Sequence, residues 1–391
     1  MKKIKIGLLP RVLIAIVLGV TLGNFLPLWA VRIFVTFNDV FGHFLSFLIP
    51  LIIIGLVTPA IGDIGKNAGK LLLLTAAIAY GDTVFSGFFS YFTSASLFPS
   101  LISSHAAETI AETDAIEPFF TINIPPMVDV MSALIFSFIV GLGIATSGAT
   151  TLKRFFDEFQ RIIAKTIEKA LIPLLPLYIM GIFMGMAYTG QAWRIVQTFV
   201  AIIGIIFAMH IILLMVQYAI AGAIVGRNPF KLLWKMLPAY FTALGTSSSA
   251  ATIPVTLRQT IDNGVDRGIA GFTVPLCATI HLSGSAMKIT ACAVALMVMQ
   301  GMHFDVTLFS GFILMLGVMM VAAPGVPGGA IMAALGVLQS ILGFDVSQQA
   351  LMIALYITMD SFGTACNVTG DGAIALIVNR IAGRKATEQP V

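Results

Sequence analysis

Apolar stretches of about 20 residues recur along this chain of 391 residues, each able to cross a hydrocarbon core of ~30 Å as a helix. No tract alternates over roughly ten residues as an outer-membrane strand does. The pattern predicts an all-α polytopic membrane protein with nearly all of the chain in or at the bilayer. Charge agrees: 10% of residues are charged, against about a quarter in soluble domains, which excludes a soluble globular protein. The formal net charge of +4 reflects basic residues in short segments between apolar runs, so topology explains it better than nucleic-acid binding. Cys277, Cys292 and Cys366 all fall inside apolar runs and read as small apolar fillers.

Six full crossings are predicted at about 8–29, 32–60, 70–98, 128–148, 162–189 and 195–225. The loop after the third carries Glu108, Glu112, Asp114 and Glu117 without one Lys or Arg. Basic residues flank the even-numbered exits: Lys66 and Lys70; Lys153, Arg154, Arg161 and Lys165; Arg227, Lys231 and Lys235. With Lys2, Lys3 and Lys5 at the start, the positive-inside rule puts both ends of the chain and these loops in the cytoplasm.

Beyond about residue 230 the apolar runs are broken by small and polar clusters. Residues 229–257 centre on Gly245-Thr246-Ser247-Ser248-Ser249, and residues 306–343 on Pro324-Gly325-Val326-Pro327-Gly328-Gly329. Bare backbone in hydrocarbon costs several kcal/mol per group, so each reads as a re-entrant helical hairpin with its tip buried in protein. A spanning helix follows each hairpin, at 268–300 and 347–379. Eight transmembrane helices plus two hairpins, the latter in opposite orientations, form inverted repeats. Such repeats with broken helices point to a midplane solute site in a secondary transporter.

The chemistry concentrates in the last span. At 100° per residue, Asp360, Thr364, Asn367 and Asp371 fall within about 60° of one another on a helix. A buried carboxylate needs a cationic partner or water, and this stripe suits a substrate ammonium and an inorganic cation. In the seventh span, His281-Leu282-Ser283-Gly284-Ser285 is a polar break whose freed carbonyls can ligate a cation. His281 is either hydrogen-bonded filling or a proton relay. Lys288 needs a counter-charge, and Asp82 in the third span is the expected partner. The Ser247-Ser248-Ser249 tip either offers hydroxyls and N–H groups to a carboxylate or satisfies the hairpin backbone. The glycine-rich second tip is either a gate or a tight turn. An intramembrane aspartyl protease is a distant alternative, since two Gly-Asp steps lie inside spans at Asp82 and Asp371. Val368 stands where a Gly-x-Gly-Asp pattern needs glycine.

The ordered set Ser-Ser-Ser…Pro254, Ala278-Thr279-Ile280, Gly325-Val326-Pro327-Gly328 and Asp360…Asn367-Val368-Thr369-Gly370-Asp371 resembles the dicarboxylate/amino acid:cation symporter family, the glutamate-transporter homologues. That family is itself among the transporters from which the inverted-repeat rule was drawn. The resemblance implies a homotrimer in the inner membrane with an elevator mechanism. Scaffold helices 1–2 and 4–5 would lie at 1–69 and 128–193. A moving transport domain would comprise helix 3 with the acidic external loop, 70–127, and helices 6–8 with both hairpins, 194–391. It further implies that Asp360 binds the substrate ammonium and Asn367 the α-carboxylate, with Thr364, Ser248, Ser249, Ser285, Val326 and Gly328 as further substrate contacts. Thr279, Asn367 and Asp371 would be cation ligands.

Two departures shape the functional expectation. Acidic-amino-acid carriers have Arg three residues after the ammonium-binding Asp, whereas this chain has Gly363, which favours a small neutral amino acid. Where the family has Asn-Met-Asp-Gly-Thr, this chain has His281-Leu282-Ser283-Gly284-Ser285. That removes one amide and one carboxylate from the family's sodium sites. Asp82, Thr83, His281 and Ser283 are the candidates for an altered ion or proton site. The expected function is symport of a small neutral amino acid coupled to Na+ and/or H+. An acidic-amino-acid or C4-dicarboxylate symporter or exchanger of the same fold is the alternative.

Overall fold

The computed structural model describes residues 7–63, 69–102, 116–190, 192–324 and 327–386. In chain order its helices are α1 (Leu8–Phe25), α2 (Leu28–Asp63), α3 (Lys70–Leu101) and α4 (Val130–Ser147). Next, α5 (Thr150–Thr166) runs through one π turn (Ile167–Leu171) into α6 (Ile172–Tyr188). Then come α7 (Ala192–Val225), α8 (Pro229–Thr246), α9 (Ser249–Asp262), α10 (Arg267–Ile280) and α11 (Ser283–Met299). The chain closes with α12 (Val306–Ala322), α13 (Gly329–Ser340), α14 (Val346–Thr358) and α15 (Asp360–Ala386). Among the described residues, 7 helices are long and apolar enough to cross a membrane, or up to 8 if α14 and α15 count as one span bent by 64°. The fold is all-helical and multi-pass. Glu108, Glu112, Asp114, Lys66 and Val326 lie outside the described residues.

Several elements differ from the sequence expectation. The basic segment after α4 is not a loop: Lys153, Arg154, Arg161 and Lys165 sit on α5, which buries Phe156 and Ile163 and packs along α2. The expected spans 268–300 and 347–379 are each interrupted, the former at the polar break expected there and the latter where no break is expected. The first breaks at His281 and Leu282, whose extended or irregular backbone separates α10 from α11. The second breaks at Met359, with no proline or glycine at the bend.

α1 packs along α6 through small residues. A Cβ at Gly19 would press on the Met180 carbonyl oxygen, and one at Gly23 on the Met184 carbonyl oxygen and the Ala187 Cβ. Such close backbone approach is how membrane helices associate when lipid and side chains are equally apolar. Gly23→Leu is expected to lower stability by about 1–3 kcal/mol, the usual cost of overpacking. Thermal unfolding in detergent would measure it, and an unshifted midpoint would refute this apposition.

The hairpin arms pack on each other, α8 on α9 and α12 on α13. Asn228 caps α8 through Phe230 N and Lys231 N, at 3.0 and 3.2 Å, with Pro229 at the first helical position, where its missing N–H costs nothing. The first tip turns on Ser247, at φ 50 the sole non-glycine residue with positive φ among the described residues. Non-glycine residues enter this region at a cost, and such strain clusters at functional sites. The second tip turns on Gly328 at φ 76, a conformation glycine adopts freely.

Candidate solute and cation site

α11 is buried on all sides over nearly its whole length, Lys288 included. Against it lies α15, whose Asp360, Thr364, Asn367 and Asp371 are all buried. The stripe expected from helical spacing therefore exists, and it faces another helix rather than lipid. Gly284 permits the approach: a Cβ there would come within 2.7 Å of the Cys366 Cβ and 2.8 Å of the Gly363 carbonyl oxygen. Asn367 binds the start of α11 directly. Its Oδ1 accepts from Gly284 N at 2.8 Å and Ser285 N at 3.3 Å, and its Nδ2 donates to the Ser285 hydroxyl at 3.2 Å. The side chain thus satisfies N–H groups that any helix start leaves open. Ser285 Oγ also lies 3.0 Å from the Tyr356 hydroxyl.

At the α10–α11 break, His281 lies between two acids. Its Nδ1 is 2.8 Å from Asp371 Oδ1 and its Nε2 is 2.7 Å from Asp82 Oδ2. The His281 and Asp371 side chains are 0% and 1% exposed, and that of Asp82 17%. A carboxylate only accepts, and a neutral imidazole has one N–H. Two such contacts therefore need two protons, either an imidazolium between two carboxylates or a neutral ring beside one protonated acid. Gln217 on α7 completes the group, donating to Asp82 Oδ2 at 2.6 Å and to the Ser283 hydroxyl at 3.1 Å. Gln217 Oε1 and Asp371 Oδ2 are buried acceptors without a hydrogen-bond donor among the described residues.

The expected Asp82–Lys288 pair does not form. Asp82 is taken by His281 and Gln217, and Lys288 Nζ lies 3.1 Å from Asp360 Oδ1. Lys288 extends along the backbone of Gly363, where a Cβ would fall 2.8 Å from Nζ. Its ammonium also sits 3.4 Å from the centre of the Tyr356 ring and 3.4 Å from the Met359 carbonyl oxygen. Asp360 Oδ2 accepts from Gly328 N at 2.8 Å. The carboxylate expected to meet a substrate ammonium meets an ammonium of the protein itself, from α11.

The remaining expected residues divide. Ser248 caps α9 by accepting from Ala251 N at 3.3 Å, and Ser249 is buried at its first position. It is Ser247 that leaves the hairpin, its hydroxyl 2.6 Å from that of Ser361. Thr364 donates back to the Asp360 carbonyl at 2.9 Å, and Thr83 to the Ala79 carbonyl at 2.8 Å. Thr279, expected among the cation ligands, is exposed and donates to the Leu276 carbonyl of its own helix at 2.7 Å. It lines a separate cavity of about 440 Å³ with Arg161, Ala323 and Pro324.

The sequence pattern defining the Sodium:dicarboxylate symporter family matches residues 8–381. The chain belongs to that family. Similar curated proteins include excitatory amino acid transporter 3 of Mus musculus, 29% identical over 269 residues, covering 67% of this chain and 50% of that protein. Excitatory amino acid transporter 4 of Mus musculus is 26% identical over 295 residues, covering 72% of this chain and 51% of that protein. This symporter-family chain therefore spans about half the length of the curated relatives it matches.

Sequence reasoning missed Gln217, Ser361 and Tyr356, and named Ser247 only as one of the three serines of the first tip. Gln217 carried a usable signal, an amide deep in the apolar run 195–225, where a polar group is expensive unless it has a partner. Tyr356 and Ser361 flank the unsuspected bend at Met359, so only the fold brings them to the site.

Proposed function

We propose that the chain is a secondary active transporter of the inner membrane that couples cation movement to symport of a small amino acid. What carries the reading is that both hairpin tips reach one turn of α15. Gly328 N donates to Asp360 and the Ser247 hydroxyl meets that of Ser361. Tips pinned to the first turn of a buried polar helix can report solute binding there to both gates. In this reading α1, α2 and α4–α6 form the scaffold of a trimer, and α3 with α7–α15 move as the transport domain, with both chain ends cytoplasmic.

The coupling differs from a purely sodium-filled site. His281 stands between Asp82 and Asp371, so one positive charge that a metal ion would supply comes from the protein or its bound protons. We expect fewer sodium ions per solute, a proton contribution, or both. Uptake into proteoliposomes under sodium and proton gradients, imposed separately, tests this. Uptake driven by one of the gradients and altered by pH is the expected result. Uptake requiring three sodium ions and indifferent to pH would defeat the altered coupling, and gradient-independent uptake would defeat symport altogether.

A further inference from the structure

We propose that Lys288 is a built-in counter-cation for the translocation step: it neutralises Asp360 when no solute is bound, so the moving domain can recross the bilayer without an inorganic cation at the solute site. The inference rests on the symporter reading above and deepens it. The pair is close and sealed. Lys288 Nζ lies 3.1 Å from Asp360 Oδ1, and the two side chains are 0% and 8% exposed. The ammonium also meets the Met359 carbonyl oxygen and the Tyr356 ring face, and Asp360 is the one anion among these partners. Gly363 provides the clearance, since a Cβ there would fall 2.8 Å from Nζ and 2.9 Å from Cε.

Three features suit this contact to a moving domain. Lys288 stands on α11 and Asp360 on α15, both assigned to the transport domain, so the pair travels intact. Asp360 Oδ2 accepts from Gly328 N, so the carboxylate that holds the ammonium also holds the second hairpin's tip. The neighbouring amide does not serve Asp360: Asn367 Oδ1 accepts from Gly284 N and Ser285 N, and its Nδ2 donates to the Ser285 hydroxyl. Lys288 is the cation at hand.

The consequence is one of charge. A carboxylate without a cation, in a domain surrounded by hydrocarbon, opposes crossing by an amount worth on the order of 100-fold in rate. With Lys288 in contact, the solute-free pair carries no net charge. An arriving α-amino acid brings an ammonium for Asp360 and a carboxylate for Lys288, so a zwitterion inserted between them leaves the filled site neutral as well. Filled and solute-free forms of this pair thus cross with equal charge. The return step then needs no cation bound at Asp360.

The test follows the solute-free domain directly. Dyes at Thr151→Cys in α5 and Lys231→Cys in α8, both exposed positions, report the distance between scaffold and transport domain in single molecules reconstituted in lipid. The chain's own three cysteines are buried. Without amino acid, the labelled protein is expected to exchange between two distances. Lys288→Met leaves Asp360 alone and Asp360→Asn leaves Lys288 alone, so each should slow the exchange on the order of 100-fold. Combining the two removes both charges and should return the rate to within about tenfold of the parent. Rescue of the rate by removing the second charge is what neutrality predicts and what loss of a packing contact does not.

Single variants that exchange as fast as the parent, or a double variant as slow as the singles, overturn the inference. Should one single variant fail to fold, the other against the double variant decides. Should both fail, parental speed in the double variant upholds the inference and a rate more than about tenfold slower overturns it. A parent that takes up L-alanine or L-serine under a cation gradient, yet never exchanges without amino acid, overturns the role of Lys288 and leaves the symporter reading standing. A parent that neither exchanges nor shows gradient-driven uptake overturns the symporter reading itself, and this inference with it.

Discussion

His281→Leu is expected to lower the stability of the purified protein by about 3–5 kcal/mol, the range found when one partner of a buried charged group is removed. The wild-type ring meets Asp82 Oδ2 at 2.7 Å and Asp371 Oδ1 at 2.8 Å, with Asp371 almost fully buried. Leucine leaves two carboxyl groups facing an apolar side chain, and Gln217 can donate to only one of them from its present position. Adding Asp371→Asn to His281→Leu should recover part of the loss by removing one of the stranded acids. Thermal unfolding of the single and double variants measures both effects. A single variant as stable as wild type would mean that the imidazole bears no share of the charge between α3 and α15.

Asp360→Asn carries the second large effect. On sequence grounds that substitution removes an ammonium ligand and leaves the fold intact. In the structure it also strands Lys288, whose anion is Asp360 at 3.1 Å, so a loss of about 3–5 kcal/mol is expected as well. Pairing it with Lys288→Met should return much of that stability, since replacing both members of a buried pair with groups of similar volume is often close to neutral. The two substitutions should therefore be non-additive, as residues in direct contact are. A strictly additive cycle would count against the ion pair. Amino-acid binding is expected to be lost in both proteins, so binding alone does not separate the solute role of Asp360 from its role as counter-ion to Lys288.

Helical spacing made the stripe on α15 legible, because Asp360, Thr364, Asn367 and Asp371 need only their own helix to share a face. The break at His281 was legible too, since polar and glycine residues interrupt an apolar run there. Which charge meets which was not. Asp82, Lys288 and Asp360 lie on three different helices, and periodicity along one helix carries no information about the neighbour it faces. Charge balance alone therefore points Lys288 to Asp82, whereas the fold gives it Asp360. The bend at Met359 had no sequence signal, because Leu355-Tyr356-Ile357-Thr358-Met359 lacks both proline and glycine. In the triplet Ser247-Ser248-Ser249 the three residues are chemically alike. Only the turn decides that Ser247 takes the left-handed conformation and faces Ser361 while Ser248 caps α9.

The pairing of Lys288 with Asp360 bears on how the chain enters the membrane as it is made. A lysine near the centre of a helix opposes insertion by about 2.5–3.5 kcal/mol, and α11 has no face on which to expose it to water. Its counter-ion stands 72 positions later, beyond α12, α13 and α14. The α11 segment is thus synthesised well before the residue that neutralises it. Between those two moments its charge must be sheltered by the translocation machinery or by helices already inserted, so the final packing of α11 waits for α15.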